Sequence, residues 1–244
     1  DGAFDITSAP LSKLWGFSRR QGQIPSESDI GAVLENVGSH LLELDQKNQT
    51  VAFSRSATEI NLGGIGKGFA LDRCQELLRA DGVEHVLMHG GKSSVLARGD
   101  RGTAEQLHGW KVGVRHPLRA NARLLEIQLH DQALSTSGAA TQSFHHQGKR
   151  YGHILDPRNG YPSAGVYSAT VVADSAAVAD ALSTAFYVLG HEKILECCSL
   201  QEDVATAIVV PGDHSGRIDI HTCGFCEEDI KIVQDQSCQF IRHD

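Results

Sequence analysis

The stretch NLGGIGKGFALD, Asn61 to Asp72, sets glycines at 63, 64, 66 and 68 ahead of a helical pattern. Phe69, Ala70, Leu77 and Leu78 keep a helical period to about Ala80, and Gly82 supplies the stop. A glycine-rich turn that opens a helix presents backbone N–H groups to an anion, and the helix dipole adds to the attraction. Lys67 puts a positive charge in the same turn. The spacing of a Walker A loop is absent, and no parallel βαβ context supports a dinucleotide fingerprint. Two readings stay open here: a phosphate site, or a tight packing turn with an exposed lysine.

Outward from this turn the chain reads as strands broken by few helices. Pro25–Glu35 is predicted as a short helix capped by Ser26 or Ser28. Alternation in 40–43 and 50–54 around the turn-like DQKNQ predicts a hairpin. Residues 83–88, 94–97, 110–114, 124–129 and 167–172 read as strands, and 204–210 with 217–221 as a closing pair. Residues 175–189 read as a buried helix and 192–198 as a second short one. Strands that follow one another without intervening helices predict an α+β fold, with mainly antiparallel sheets and packed helices.

Three further segments carry possible chemistry. In SAAVADALSTAFYVLG, Ser175 to Gly190, Asp180 is the one charged residue among apolar neighbours. A lone buried carboxylate costs several kcal/mol unless paired or metal-bound. Asp180 and Thr184 are four residues apart, on one helix face, and would suit a hard cation such as magnesium. The alternative is a lysine or arginine partner for Asp180, with Thr184 bonded back to its own helix. In GHILDPRNGYP, Gly152 to Pro162, strong turn chemistry places His153 and Asp156 at a strand end. His153 there is either a general base or one of many surface histidines. In STSGAAT, Ser135 to Thr141, small residues either admit a ligand close to the backbone or form a plain loop before a strand.

Composition narrows the class. Apolar residues at 41% and charged residues at 21% fit a globular protein. The longest apolar stretch is interrupted by Asp180, Ser183 and Thr184, which argues against a membrane-spanning helix. Twenty-two basic against thirty acidic residues leave a net charge of −8, with no basic block, which argues against nucleic acid as a partner. The six cysteines include one CxxC, Cys223 to Cys226, without a second pair, so it reads as a turn between late strands rather than a zinc site.

Taken together, GAFDIT near the start, NLGGIGKGFALDR, LSTSG, HILDPRNGYP and ADALSTAFYVLG resemble the ApbE family, the FAD:protein FMN transferases, in that order along nearly the whole chain. The resemblance implies a T-fold-like flavin-binding architecture, with magnesium as cofactor and FAD as substrate. It implies transfer of FMN from FAD onto a threonine or serine hydroxyl of an acceptor protein, with release of AMP. A non-catalytic FAD-binding protein, or a pyrophosphatase giving FMN and AMP, is the alternative use of the same residues. A structural interaction module would leave Asp180 buried without a reason.

By the same resemblance, Asp180, Thr184 and the main-chain carbonyl of Gly66 match the family's magnesium ligands, with Ser183 nearby. Ala3, Phe4, Asp5, Gly63, Lys67, Phe69 and Ile154 fall where the family lines its FAD site, joined by Thr136, Ser137 and Gly138. His153 matches the histidine that deprotonates the acceptor hydroxyl, and Asp156 orients the adjoining turn. Some positions depart from the family pattern. Gly66 stands where alanine is common, Lys92 follows Gly90-Gly91, and Ala140 stands where a self-flavinylated hydroxyl would be needed. Relatives carry a further segment before GAFD, so the expectation is one domain over 1–244 apparently lacking it. The family is often exported and faces the periplasm, which is the resemblance's one pointer to location.

Overall fold

The computed structural model describes residues 1–101, 109–119, 121–139, 142–198, 203–233 and 237–243, except for the side chains of 195–198. In chain order the elements begin with helices α1 (Ala9–Leu14) and α2 (Glu27–Leu34), strands β1 (Leu42–Asp45) and β2 (Thr50–Phe53), and helix α3 (Gly66–Ala80). Strands β3 (Val86–Gly90), β4 (Ser94–Arg98), β5 (Trp110–Arg115), β6 (Arg123–Leu129), β7 (Ala133–Ser137), β8 (Ser143–His146), β9 (Lys149–Gly152) and β10 (Ser168–Ala173) follow. Helices α4 (Ala176–Leu189) and α5 (His191–Cys198) precede β11 (Ala205–Pro211), β12 (Ile218–Cys223), β13 (Ile230–Ile232) and β14 (Cys238–His243). This is the expected α+β class: among the described residues, every strand pair but β12 with β14 is antiparallel. Among the described residues no helix is long and apolar enough to cross a membrane.

The chain forms two compact units. The first comprises Asp1–Gly64 and Ala139–Ala164. Its core is Leu11, Trp15, Phe17, Ile30 and Leu155, with Phe144 and Tyr151 packed against them. Ser26 caps α2 by accepting from the Asp29 N–H, as the sequence predicts. The DQKNQ hairpin forms with Leu42 opposite Phe53. Gly160 closes the turn after Asp156 at φ +79°, and its carbonyl accepts from the buried Trp15 indole at 2.8 Å. A side chain there would meet Ile30 and Leu11, so only glycine satisfies both the dihedral and the packing.

The second unit comprises Ile65–Gly138 and Gly165–Asp244. Its main sheet runs β14-β12-β11-β10-β7-β4-β3. One face of this sheet packs on the smaller sheet β13-β6-β5 through Leu124, Leu125, Ile127, Val172, Val209, Ile218 and Ile220. Helices α3, α4 and α5 pack against strands of the main sheet. Strand β10 reads SATVVA and is buried at every position, as a strand covered on both faces must be. Its neighbour β7, 133–137, is a central strand paired with β4 and β10, which replaces the plain-loop reading of the segment from Ser135. β14 was not foreseen, and it lies parallel to β12 beyond the expected closing pair. The CxxC segment leads from β12 through a short 3-10 turn into β13, and Cys74, Cys223 and Cys226 are free thiols.

Helix α4 starts where two side chains satisfy its unpaired N–H groups. Ser175 accepts from Val178, while Asp72 of α3 accepts from Ser175 Oγ at 2.7 Å and from the Ala176 and Ala177 N–H groups at 2.8 and 2.9 Å. Gly68 of α3 lies directly against this start; a Cβ there would stand 2.0 Å from the Ala176 carbonyl oxygen. The third and fourth glycines of the opening motif thus serve different needs: Gly66 starts α3, and Gly68 lets α3 touch α4.

At the far edge of the sheet three imidazoles gather. His221 Nδ1 lies 3.0 Å from His243 Nε2, and the His191 ring stands 4.8 Å from that of His221. Burial, then the charges of His191 and His243, hold His221 below the ordinary imidazole range, against a smaller opposing pull from Asp219. Below about pH 6.5 the unfolded chain therefore binds more protons at this group, and stability is lost as the pH is lowered. Between pH 7 and 5.5 the melting temperature is expected to drop by roughly 1–3 °C more in the parent than in His221→Gln. Parallel melting curves for the two proteins would assign the loss to other groups.

Candidate functional site

In the second unit α4 carries Asp180 and Ser183 on its buried face, beside Ala176, Ala179 and Phe186. The Asp180 residue is 2% exposed, so its charge must be answered inside the protein. Lys67 of α3 answers it: Nζ lies 3.1 Å from each carboxylate oxygen. Oδ1 also accepts from Ser94 Oγ at 3.2 Å and Ser135 Oγ at 3.0 Å, and Oδ2 from the Gly68 N–H at 3.2 Å. The second of the two readings of this aspartate, a lysine partner, is therefore present. Thr184 also bonds back to its helix, donating to the Asp180 carbonyl at 3.3 Å.

A hydroxyl cluster adjoins the carboxylate. Ser137 Oγ lies 2.9 Å from Ser183 Oγ and 3.0 Å from Thr184 Oγ1, and Ser183 donates to the Asp180 carbonyl at 2.9 Å. Gly66 opens α3 two residues before the Gly68 N–H that donates to Asp180. Carboxylate, hydroxyl and main-chain carbonyl are all oxygen donors, the set that suits a hard cation. Among the described residues no three His, Cys, Asp or Glu side chains gather as metal ligands. A cation here would thus lean on Asp180 for its protein charge, and the donor set fits magnesium better than zinc.

Strand alternation sorts the STSG segment. Ser135 and Ser137 face α4, while Thr136 turns to the opposite face and pairs with Thr170 Oγ1 at 2.9 Å. Gly138 ends the strand, with the Tyr167 carbonyl 3.0 Å from where a Cβ would stand. Phe69 projects from α3 and is 59% exposed, free of any core role.

In the first unit the remaining predicted residues are anchored locally. Ala3 and Ile154 are buried, and Phe4 is half-buried. Asp5 accepts from the Thr7 N–H, the Thr7 hydroxyl and the Ser39 N–H at 2.8, 2.6 and 2.7 Å. The Gly63 N–H donates to Asn61 Oδ1, while the Asn61 N–H donates to the Ile6 carbonyl, which lays the glycine turn beside the GAFDIT segment.

His153 follows β9 directly. Its Nδ1 lies 3.1 Å from the Gln142 carbonyl, which only accepts, so Nδ1 carries the proton and the basic lone pair belongs to Nε2. Asp156 spends its carboxylate on the turn. It accepts from Arg158 N–H, Nε and Nη2 at 2.9, 2.8 and 2.7 Å and from Asn159 Nδ2 at 3.2 Å. The Asp156 hydrogen bond holds the Arg158 guanidinium above its ordinary range. These bonds tie Asp156 to the turn residues Arg158 and Asn159. Ala140 lies outside the described residues.

Sequence reading missed Ser94 and Ser135 as partners of Asp180, and Asp72 as the cap of α4. Ser94 stood within KSS and Ser135 within LSTSG, but only sheet pairing reveals that both face one aspartate.

The sequence model of the ApbE family matches residues 1–209. The FAD:protein FMN transferase of Escherichia coli (strain K12) is 32% identical over 219 residues, which is 87% of this chain and 61% of that protein. The FAD:protein FMN transferase of Klebsiella pneumoniae (strain 342) is 31% identical over 211 residues, 86% of this chain and 64% of that protein. The chain thus spans less than two thirds of the length of these curated relatives. Among solved structures, the ApbE protein of Thermotoga maritima superposes with a TM-score of 0.76 at 35% identity, covering 86% of this chain and 68% of that one. The apo form of the Pseudomonas stutzeri flavinyl transferase ApbE gives 0.74 at 32% identity, covering 87% and 65%.

Proposed function

The chain belongs to the ApbE family, and from that premise we propose that it is a magnesium-dependent FAD:protein FMN transferase. It moves the FMN half of FAD onto a threonine or serine hydroxyl of an acceptor protein and releases AMP. The observation that carries this reading is the buried Asp180 carboxylate, set among serine and threonine hydroxyls at the glycine-rich start of α3. Lys67 answers the charge of Asp180, and the adjoining Ser137, Ser183 and Thr184 hydroxyls supply the further oxygen donors that a hard cation uses.

Asp180, Thr184 and the Gly66 carbonyl are the proposed ligands of magnesium, which when bound supplies positive charge against the phosphate oxygens. Lys67 and the N–H groups at the start of α3 favour an anion at the same place. The proposed FAD contacts are Ala3, Phe4, Asp5, Gly63, Ile154, Lys67, Phe69, Ser137 and Gly138, with Thr136 contributing main chain rather than side chain. His153 Nε2 takes the proton of the attacking hydroxyl. The hydroxyl oxygen bonds to the phosphorus of the FMN half, the bond to the bridging oxygen breaks, and AMP leaves with that electron pair. Asp156, with Arg158, holds the turn that follows His153.

The test is incubation with FAD and magnesium, with and without a threonine-bearing acceptor, followed by separation of AMP, FMN and FAD. Flavin bound covalently to the acceptor, together with AMP and lost on adding a chelator, is the expected result. Free FMN with AMP would make the protein a pyrophosphatase, and bound but intact FAD a flavin-binding protein.

A further inference from the structure

The Asp180 carboxylate is already fully engaged. It accepts from Lys67 on both oxygens, from Ser94 and Ser135 on Oδ1, and from the Gly68 N–H on Oδ2. A carboxylate offers about four lone-pair sites, so a metal ion can bind only where a donor withdraws. The donors differ in their freedom to do so. The Gly68 N–H is fixed by the backbone of α3, and Ser94 and Ser135 are each 1% exposed on paired central strands. The Lys67 side chain is 37% exposed and ends a flexible four-carbon stem.

We propose that Lys67 is a built-in cation that occupies Asp180 and must be displaced from it by the divalent ion. The inference rests on the reading of Asp180 as a metal ligand. The ammonium neutralises the buried carboxylate, which a lone buried charge requires. It also competes for the same oxygens, because a second positive charge on one carboxylate is repelled by the first. Lys67 sits in the first turn of α3, where released charge faces the N–H groups and dipole that attract phosphate. The lysine therefore moves from carboxylate to phosphate as the metal arrives. Metal and nucleotide binding are coupled through this one side chain, each strengthening the other by the same factor.

Calorimetric titration of magnesium into the protein without FAD tests the exchange. Lys67→Met and Lys67→Gln remove the competing charge and are expected to bind magnesium about tenfold more tightly than the parent. Lys67→Arg keeps the charge and restores parental affinity. Equal affinity in the parent and both neutral variants, with binding lost in Asp180→Asn, overturns the exchange and leaves the metal reading standing. Binding that survives Asp180→Asn at parental strength overturns both.

Discussion

Asp180→Ala is expected to lower FMN transfer by on the order of 10³-fold while leaving the protein folded, because it removes the only charged protein ligand proposed for magnesium. The stability side of this prediction follows from what the carboxylate leaves behind. Lys67 can turn its ammonium into water, since its side chain is 37% exposed. Ser94 and Ser135 lie 3.2 Å apart and can satisfy each other. Only the Gly68 N–H loses a buried acceptor outright. Stability should therefore fall by about 1–3 kcal/mol, the range for orphaning a buried polar group. Asp180→Asn separates the effects further. It keeps the shape, and hydrogen bonds from the serines, but not the charge, so transfer should stay as low as in the alanine variant. AMP release and thermal melting on the same preparations read the two effects. Transfer by either variant at the parental rate would remove Asp180 from the metal site.

How much of this was legible beforehand depends on the range of each interaction. Helices α3 and α4 were legible because their signals are local: glycines before a helical period in one, and a mostly apolar run with a single charge in the other. Asp180 was conspicuous as a lone charge in that run, and its two open readings were the two that chemistry allows. What answers the charge was not legible. Lys67, Ser94 and Ser135 lie 113, 86 and 45 residues away, and only the packing of α3 and the pairing of β4 with β7 bring them together. The role of Asp72 was hidden for the same reason, since the helix it caps begins more than a hundred residues later. The strand in the STSG segment was hidden for a different reason. Serine, threonine and glycine signal loops, yet here they form a central strand, because α4 needs small hydroxyl side chains at alternate positions facing it. Read with a period of two, the segment separates Ser135 and Ser137 from Thr136, as the structure does.

His153→Ala is the second large effect expected, a loss of about 10²- to 10⁴-fold in transfer to the acceptor, the range for removing a general base. FAD binding should change by less than about threefold, because the imidazole acts on the acceptor hydroxyl rather than on the nucleotide. The geometry gives the prediction a second handle. The Gln142 carbonyl holds Nδ1–H at 3.1 Å, and Gln142 is itself tethered by its side-chain amide, which donates to the Phe17 carbonyl at 2.9 Å. The ring is therefore fixed with Nε2 as its basic atom. His153→Gln fills much of the same space without a basic nitrogen, so it should be as slow as the alanine variant although it packs better. Added imidazole should restore part of the rate in His153→Ala and none in the parent. Single-turnover transfer measured at saturating FAD separates these effects from binding. A parental rate in either variant, or slowing that imidazole cannot relieve together with a matching loss of FAD affinity, would make His153 a binding residue and leave the acceptor hydroxyl to another base.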